Sequence, residues 1–131
     1  MTVAYLDSSA VMKLCVREAE TDALVAHLRT VTRTISSELT LVEVARAASR
    51  ALGEVGLIDA EAACARLAVL PVTRPIIDRA RRLGPPALRT LDALHLATAL
   101  EPRTQPVVVS YDERLLVAAA GHGLDVASPG R

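Results

Sequence analysis

The chain has 131 residues, 51% of them hydrophobic, and its 15 basic and 15 acidic residues cancel to a formal net charge of zero. That length reads as a single domain, residues 1–131, long enough to bury a real core. The neutral balance does not imply a generic polyanion-binding surface, and no apolar run approaches the ~20 residues that a membrane-spanning helix needs. Asp7 breaks the first apolar run too early for a signal core, so a soluble, cytoplasmic protein is expected. Only two residues are aromatic, both tyrosine. The core must then be Ala, Val and Leu, which suits helices packed closely on a sheet. Lys13 is the only lysine. The arginine enrichment suits phosphate contacts but is explained equally well by genomic base composition. Cys15 and Cys64 form no Cys-x-x-Cys pair, and buried free thiols are expected.

Short β-like runs alternate with helical patterns along the whole chain. Residues 2–6 read as a strand and 8–16 as a short helix. A second helix follows over 18–29, with Leu24, Val25 and Leu28 on one side, and then a polar strand over 32–36. The spacing predicts a long helix over 37–52 closed by Gly53, as C-terminal glycines commonly do. Residues 58–67 read as a helix with Asp59 as a candidate N-cap, and 68–73 as a strand that Pro71 would place at a sheet edge. A helix over 75–83 starts with proline in its first turn and ends at Gly84, before the loop signal Gly84-Pro85-Pro86. Residues 90–100 form a strong helix, 106–109 a strand, 113–120 a helix and 124–127 a last strand. Strands alternating with helices imply crossovers. The predicted class is α/β: three α/β/α layers around a mostly parallel sheet of about five strands. Ligands in such folds bind beyond the carboxyl ends of the strands, where strand order reverses.

Four acids sit where a carboxylate is structurally awkward. Asp7 ends the run Val3-Ala4-Tyr5-Leu6, and Asp112 closely follows Val107-Val108-Val109. Glu43 interrupts Leu41-Val42-Glu43-Val44-Ala45, and Asp92 interrupts Leu91-Asp92-Ala93-Leu94. Each has a plain local explanation. Asp7 could cap the following helix, although Ser8 and Ser9 could do so without charge. Asp112 would favour the helix dipole, with Ser110 as the cap and Glu113 reaching back in a capping box. Asp92 sits in a first turn that Thr90 can cap, within an apolar helix expected to be buried on most sides. Glu43 alone is explained by an ion pair with Arg46 or by helix-surface pairing. His95 reads as a packed residue beside the site, and His27 and His122 as surface or loop residues.

Taken together, the four acids point to a metal. Two carboxylates ~4 Å apart repel by roughly 4 kcal/mol at an effective dielectric of 20, and proteins answer by protonating one or by binding a cation. Oxygen ligands suit Mg²⁺ or Mn²⁺. No nucleophile elbow or other hydrolase signature competes with that reading.

At these residues the chain resembles the PIN-domain ribonucleases, specifically the VapC-type toxins of bacterial toxin–antitoxin pairs. Residues 3–10 look like the family's opening strand and first metal-site acid, Asp7. Thr40-Leu41-Val42-Glu43-Val44 is similar to the second acidic motif, residues 91–97 with Asp92 to the third, and Ser110-Tyr111-Asp112 to the fourth. The resemblance covers nearly the whole chain in order and spacing. It implies a PIN-like sheet flanked by helices, an acidic Mg²⁺/Mn²⁺ site and hydrolysis of RNA phosphodiester bonds. It also implies a homodimer and a cognate antitoxin. The catalytic set is then Asp7, Glu43, Asp92 and Asp112. Asp7 and Asp92 would hold the principal ion, and Asp112 would complete the site. Glu43 would orient the attacking water or ligate a second ion.

Two other readings compete. A receiver-like phosphotransfer module expects paired acids after the first strand and a late lysine, whereas Asp7 is followed by Ser8-Ser9 and Lys13 lies in the first helix. A non-catalytic PIN-like domain binding RNA or protein would keep the acids for structure.

Overall fold

All four residues of the first strand, β1 (Val3–Leu6), are buried, which requires a strand covered on both faces. The computed structural model describes residues 2–131. After β1 come α1 (Ser8–Cys15), α2 (Thr21–Leu28), β2 (Arg33–Ser37), α3 (Glu38–Cys64), β3 (Ala68–Leu70) and α4 (Arg74–Ala80). The chain continues with α5 (Thr90–Ala99), β4 (Val107–Val109), α6 (Glu113–Gly121) and β5 (Val126–Ala127).

The five strands form one sheet in the order β3-β2-β1-β4-β5, and every pairing is parallel. The sheet is therefore wholly parallel, as the strand–helix alternation implies. Side-chain alternation along β1 divides the core. Ala4 and Leu6 pack with Val109, with Ala10 and Val11 of α1, and with Val44 and Ala48 of α3. Val3 and Tyr5 face the other way, against Ile35, Val108, Leu96 of α5 and Leu115 of α6. Helices thus cover both faces in three layers. No described helix is long and apolar enough to cross a membrane.

The order reverses beside β1. The chain moves outward through β2 and β3, then returns to place β4 on the other side of β1. Leu6 pairs with Val109 at the carboxyl end of that junction. The crevice where ligands settle in open α/β sheets lies beyond it.

Several local outcomes differ from expectation, among them the later starts of α2 at Thr21 and β5 at Val126. Helix α3 does not stop at Gly53. It breaks there, with Gly53 at φ 62° and ψ −141°, and resumes at once through Cys64. Its second half folds back so closely that a Cβ on Gly56 would lie 2.0 Å from the Ala48 carbonyl oxygen. Asp59 is accordingly inside the helix and caps nothing. The strand expected over 68–73 ends at Leu70, and it is an edge strand as Pro71 suggested. Helix α4 begins at Arg74 under a Thr73 cap and ends at Ala80, three residues short of the expected end at 83.

Candidate active site

Asp7 caps α1 and lies at the carboxyl end of β1, only 4% exposed. Its Oδ1 accepts from the Ser9 hydroxyl at 2.7 Å and from the Ala10 N–H at 3.0 Å. Its Oδ2 accepts from the Ser110 hydroxyl at 2.7 Å. Ser9 also accepts from the Tyr111 N–H at 2.9 Å. The two serines therefore tie the corner after β1 to the corner after β4. Burial pushes the Asp7 carboxyl above its usual range against the pull of the Ser9 and Ser110 hydroxyls.

Asp112 caps α6, its Oδ1 accepting from the N–H groups of Arg114 at 2.9 Å and Leu115 at 3.4 Å. The capping box expected from Ser110 does not form. The Ser110 hydroxyl accepts from the Asp112 N–H at 3.0 Å and donates to Asp7, two residues before the cap position of α6. Both acids at the sheet edge are therefore helix caps, and each still faces the pocket described below.

Asp92 occupies the first turn of α5. Thr90 does not cap this helix: Arg89 is the cap residue and provides no side-chain hydrogen bond. The Asp92 Oδ2 is buried without a hydrogen-bond partner. Burial raises the Asp92 carboxyl, and the charges of Asp112 and Asp7 raise it further, while His95 and Arg89 oppose them. Those charge interactions place the three aspartates within one electrostatic neighbourhood.

Glu43 lies in the second turn of α3, and its partner is not Arg46. Its Oε1 accepts from the Ser8 hydroxyl at 2.6 Å and lies 2.8 Å from His95 Nε2. Burial would raise this carboxyl, but hydrogen bonds from His95 and Ser8 outweigh it and hold it below its usual range. His95 is 2% exposed, and its Nδ1 lies 2.6 Å from the Tyr5 hydroxyl. His122 is exposed, as expected. His27 is half-buried on α2 rather than at the surface.

All four acids line one cavity of about 360 Å³, together with Ser8, His95 and Arg89. Lys13 is not part of it, being paired with Glu18 and, at 2.7 Å, with Glu20. That removes the lysine a phosphotransfer module would use. The thiols are also uninvolved: burial, with neighbouring Cys64 and Asp59, pushes Cys15 up to about 11, leaving it unreactive at neutral pH.

The donor set suits a hard divalent cation. It offers carboxylate oxygens, one of them buried and unpartnered, in a pocket where burial and the charges of Asp112 and Asp7 raise Asp92. Among the described residues, no three His, Cys, Asp or Glu side chains form a ready-made metal cage. The fit is one of chemistry and shared location rather than of a closed ligand shell.

The family profile described as PIN domain matches residues 4–121. The chain belongs to the PIN-domain family. It is of the VapC type: it is 43% identical to Ribonuclease VapC46 of Mycobacterium tuberculosis over 98% of this chain and 99% of that protein. It is 38% identical to Ribonuclease VapC47 of the same species, with 96% of each covered. Among solved structures, VapC20 of M. tuberculosis, described as a sarcin-ricin loop cleaving toxin, superposes with a TM-score of 0.74. That match has 18% identity and covers 96% of this chain and 99% of the other. The VapBC2 structure from Rickettsia felis, bound to a promoter DNA fragment, gives a TM-score of 0.75 at 12% identity, covering 96% and 98%. At such identities the structural matches show the PIN fold.

Sequence reasoning does not single out as site residues Ser8, Ser9 and Arg89, which line the pocket, nor Ser110 and Tyr5, which are buried behind it and hydrogen-bond to Asp7 and His95. The available signal was a hydroxyl beside each sheet-edge acid: Ser8-Ser9 follow Asp7, and Ser110 precedes Asp112 by two positions.

Proposed function

We propose that this PIN domain is a divalent-metal-dependent endoribonuclease and the toxin of a type II toxin–antitoxin pair. The observation that carries the proposal is the gathering of Asp7, Glu43, Asp92 and Asp112 around one cavity at the β1/β4 edge. Kinship with chains named Ribonuclease VapC, at 38–43% identity, supports RNA as the substrate.

Asp7, Asp92 and Asp112 would hold Mg²⁺ or Mn²⁺. A divalent cation bound there supplies a more acidic water and neutralises charge developing on the phosphate oxygens. Ser9 and Ser110 fix both oxygens of Asp7. Glu43, held ionised by His95 and Ser8, accepts a proton from the attacking water and aims it at phosphorus. Arg89, exposed at the pocket wall, offers its guanidinium to a flanking phosphate. Overall neutrality then matters little, because cation and arginine act locally.

A protein partner fits the surface as well. Leu41, Val42, Leu52, Val55 and Ile58 of α3 are 43–63% exposed, apolar side chains that a contact with another protein would cover. We assign such surfaces to a second copy of the chain, forming a homodimer, and to a cognate antitoxin. Structures of similar fold include a toxin–antitoxin complex from Klebsiella pneumoniae, VapBC2 of Rickettsia felis with a promoter DNA fragment and a DNA-bound VapBC of Salmonella typhimurium. Its substrate would be cytoplasmic RNA. The alternative is a non-catalytic PIN-like domain that binds RNA or protein.

Incubation of purified, antitoxin-free protein with structured RNA decides between them. Cleavage should require Mg²⁺ or Mn²⁺ and stop on addition of EDTA. RNA that binds but stays intact at every metal concentration would favour the binding domain.

A further inference from the structure

A buried polar chain runs from the core of the sheet to the pocket, and the four-acid reading uses only its last link, the contacts of His95 and Ser8 with Glu43. Tyr5 is wholly buried in the middle of the molecule, yet its hydroxyl lies 2.6 Å from His95 Nδ1. The rings meet edge to face with centroids 5.9 Å apart. On the opposite side of the imidazole, Nε2 lies 2.8 Å from Glu43 Oε1. Ser8 donates to the same oxygen at 2.6 Å.

The chemistry orders this chain. An ionised carboxylate only accepts hydrogen bonds, so the hydrogen between His95 and Glu43 sits on Nε2. The bond made at one ring nitrogen fixes the state of the other. A Tyr5 hydroxyl donating to Nδ1 completes a one-way series from Tyr5 through His95 to Glu43. With His95 and Ser8 both directed at Oε1, the second oxygen, Oε2, makes no hydrogen bond to protein. It remains for the pocket. Such a series has a cost if it is only structural: a Tyr–His pair buried beneath a sheet edge is replaceable by apolar side chains, and a partly satisfied polar network is worse than none.

We infer that Tyr5 and His95 are positioning residues that aim and orient Glu43. They hold Oε1 so that Oε2 faces the position of the attacking water. The inference rests on the nuclease reading above and assigns roles to two residues outside its acidic set. Neither touches substrate or cation. Both act through Glu43.

Two measurements test it. In metal-free protein, long-range ¹H–¹⁵N NMR of the His95 ring should show hydrogen on Nε2. A bare Nε2 overturns the relay, whatever the activity. In RNA cleavage with Mn²⁺, His95→Leu should lower kcat about 10–100-fold, the usual effect of removing a group that orients a ligand. KM and the rise in Tm produced by Mn²⁺ should stay unchanged. His95→Gln, whose amide can still donate to Glu43, should recover several-fold of the loss. Tyr5→Phe should lower kcat in the same sense by less. Wild-type kcat in His95→Leu, or equal losses in His95→Leu and His95→Gln, would overturn the inference. Should His95→Leu fail to fold, Tyr5→Phe decides: unchanged kcat counts against the relay. If wild-type protein cleaves no RNA, the nuclease reading fails instead, and the NMR result alone judges the relay.

Discussion

Asp7 and Asp92 line the same cavity but are held in opposite ways. At the β1–α1 corner, Asp7 is nearly inaccessible, and each of its oxygens is taken by a serine hydroxyl or a backbone N–H. At the N-terminus of α5, Asp92 caps nothing and leaves Oδ2 buried without a partner. One carboxylate is part of the fold and also of the site. The other does nothing for the fold, and a buried unpaired oxygen in a native structure asks for a ligand. The same pocket thus contains an anchor and a vacancy in hydrogen bonding, and substitutions should separate them.

The largest expected effect is on activity at Asp92. Asp92→Ala should lower RNA cleavage on the order of 1,000-fold or more, as loss of a group at the reacting centre commonly does. Its melting temperature should not fall, because α5 loses neither a cap nor a hydrogen bond. A parallel fall in stability would erase the contrast with Asp7.

At Asp7 activity and stability should fall together. Asp7→Ala removes the α1 cap and strands the Ser9 and Ser110 hydroxyls, at a cost of about 1–3 kcal/mol in urea unfolding. Asp7→Asn keeps an acceptor at Oδ1 and removes the buried charge. It should be as inactive as the alanine variant yet more stable by about 1 kcal/mol. Equal stability of the two variants would show that the cap contributes nothing.

A smaller effect concerns pH. Burial raises Asp7, and burial with the Asp112 and Asp7 charges raises Asp92, both above the usual 3.8. Their ionisation therefore costs stability at neutral pH, and the cost is relieved as pH falls through the raised values towards 3.8. Glu43 has the opposite sign. Held below 4.5, it contributes stability above that value and loses it only as pH falls through its lowered one. Metal-free protein should accordingly gain melting temperature as pH falls from neutral through the raised Asp7 and Asp92 values. Saturating Mn²⁺ should reverse the trend, since protons compete with the cation for the same oxygens. A flat or falling profile without metal would mean that the acids are better solvated than their burial indicates.

The smallest effect is that of Asp92→Asn on metal-free stability. Removing one of several like charges should raise the melting temperature slightly, measured by scanning calorimetry. Asp92 is part-exposed, so solvent screens most of the gain.

Much of this was legible in the sequence because it is local. The strand–helix alternation specified the layers and the parallel sheet, and four acids interrupting apolar patterns marked the pocket. Patterning fell short where two local devices competed. Ser110 and Asp112 both suit a cap, and only the geometry of the β4–α6 corner assigns the role to Asp112. Thr90 suits a cap, yet the extended residue before α5 is Arg89. Gly53 suits a helix end, but the close approach of Gly56 to Ala48 lets the chain turn and continue. The Tyr5–His95–Glu43 series joins residues 38 to 90 positions apart. No periodicity encodes such a contact, and Tyr5 reads in sequence as an ordinary core residue of a strand.

The central claim, that the acids at the β1/β4 edge bind the cation on which RNA cleavage depends, is met most directly by diffraction. Crystals soaked in Mn²⁺ and measured at the manganese edge should show an anomalous peak in the cavity within ligand distance of Asp7 and Asp92, and crystals of Asp92→Ala should show none there. A peak bound elsewhere on the molecule, or an undiminished peak in Asp92→Ala, would contradict the account.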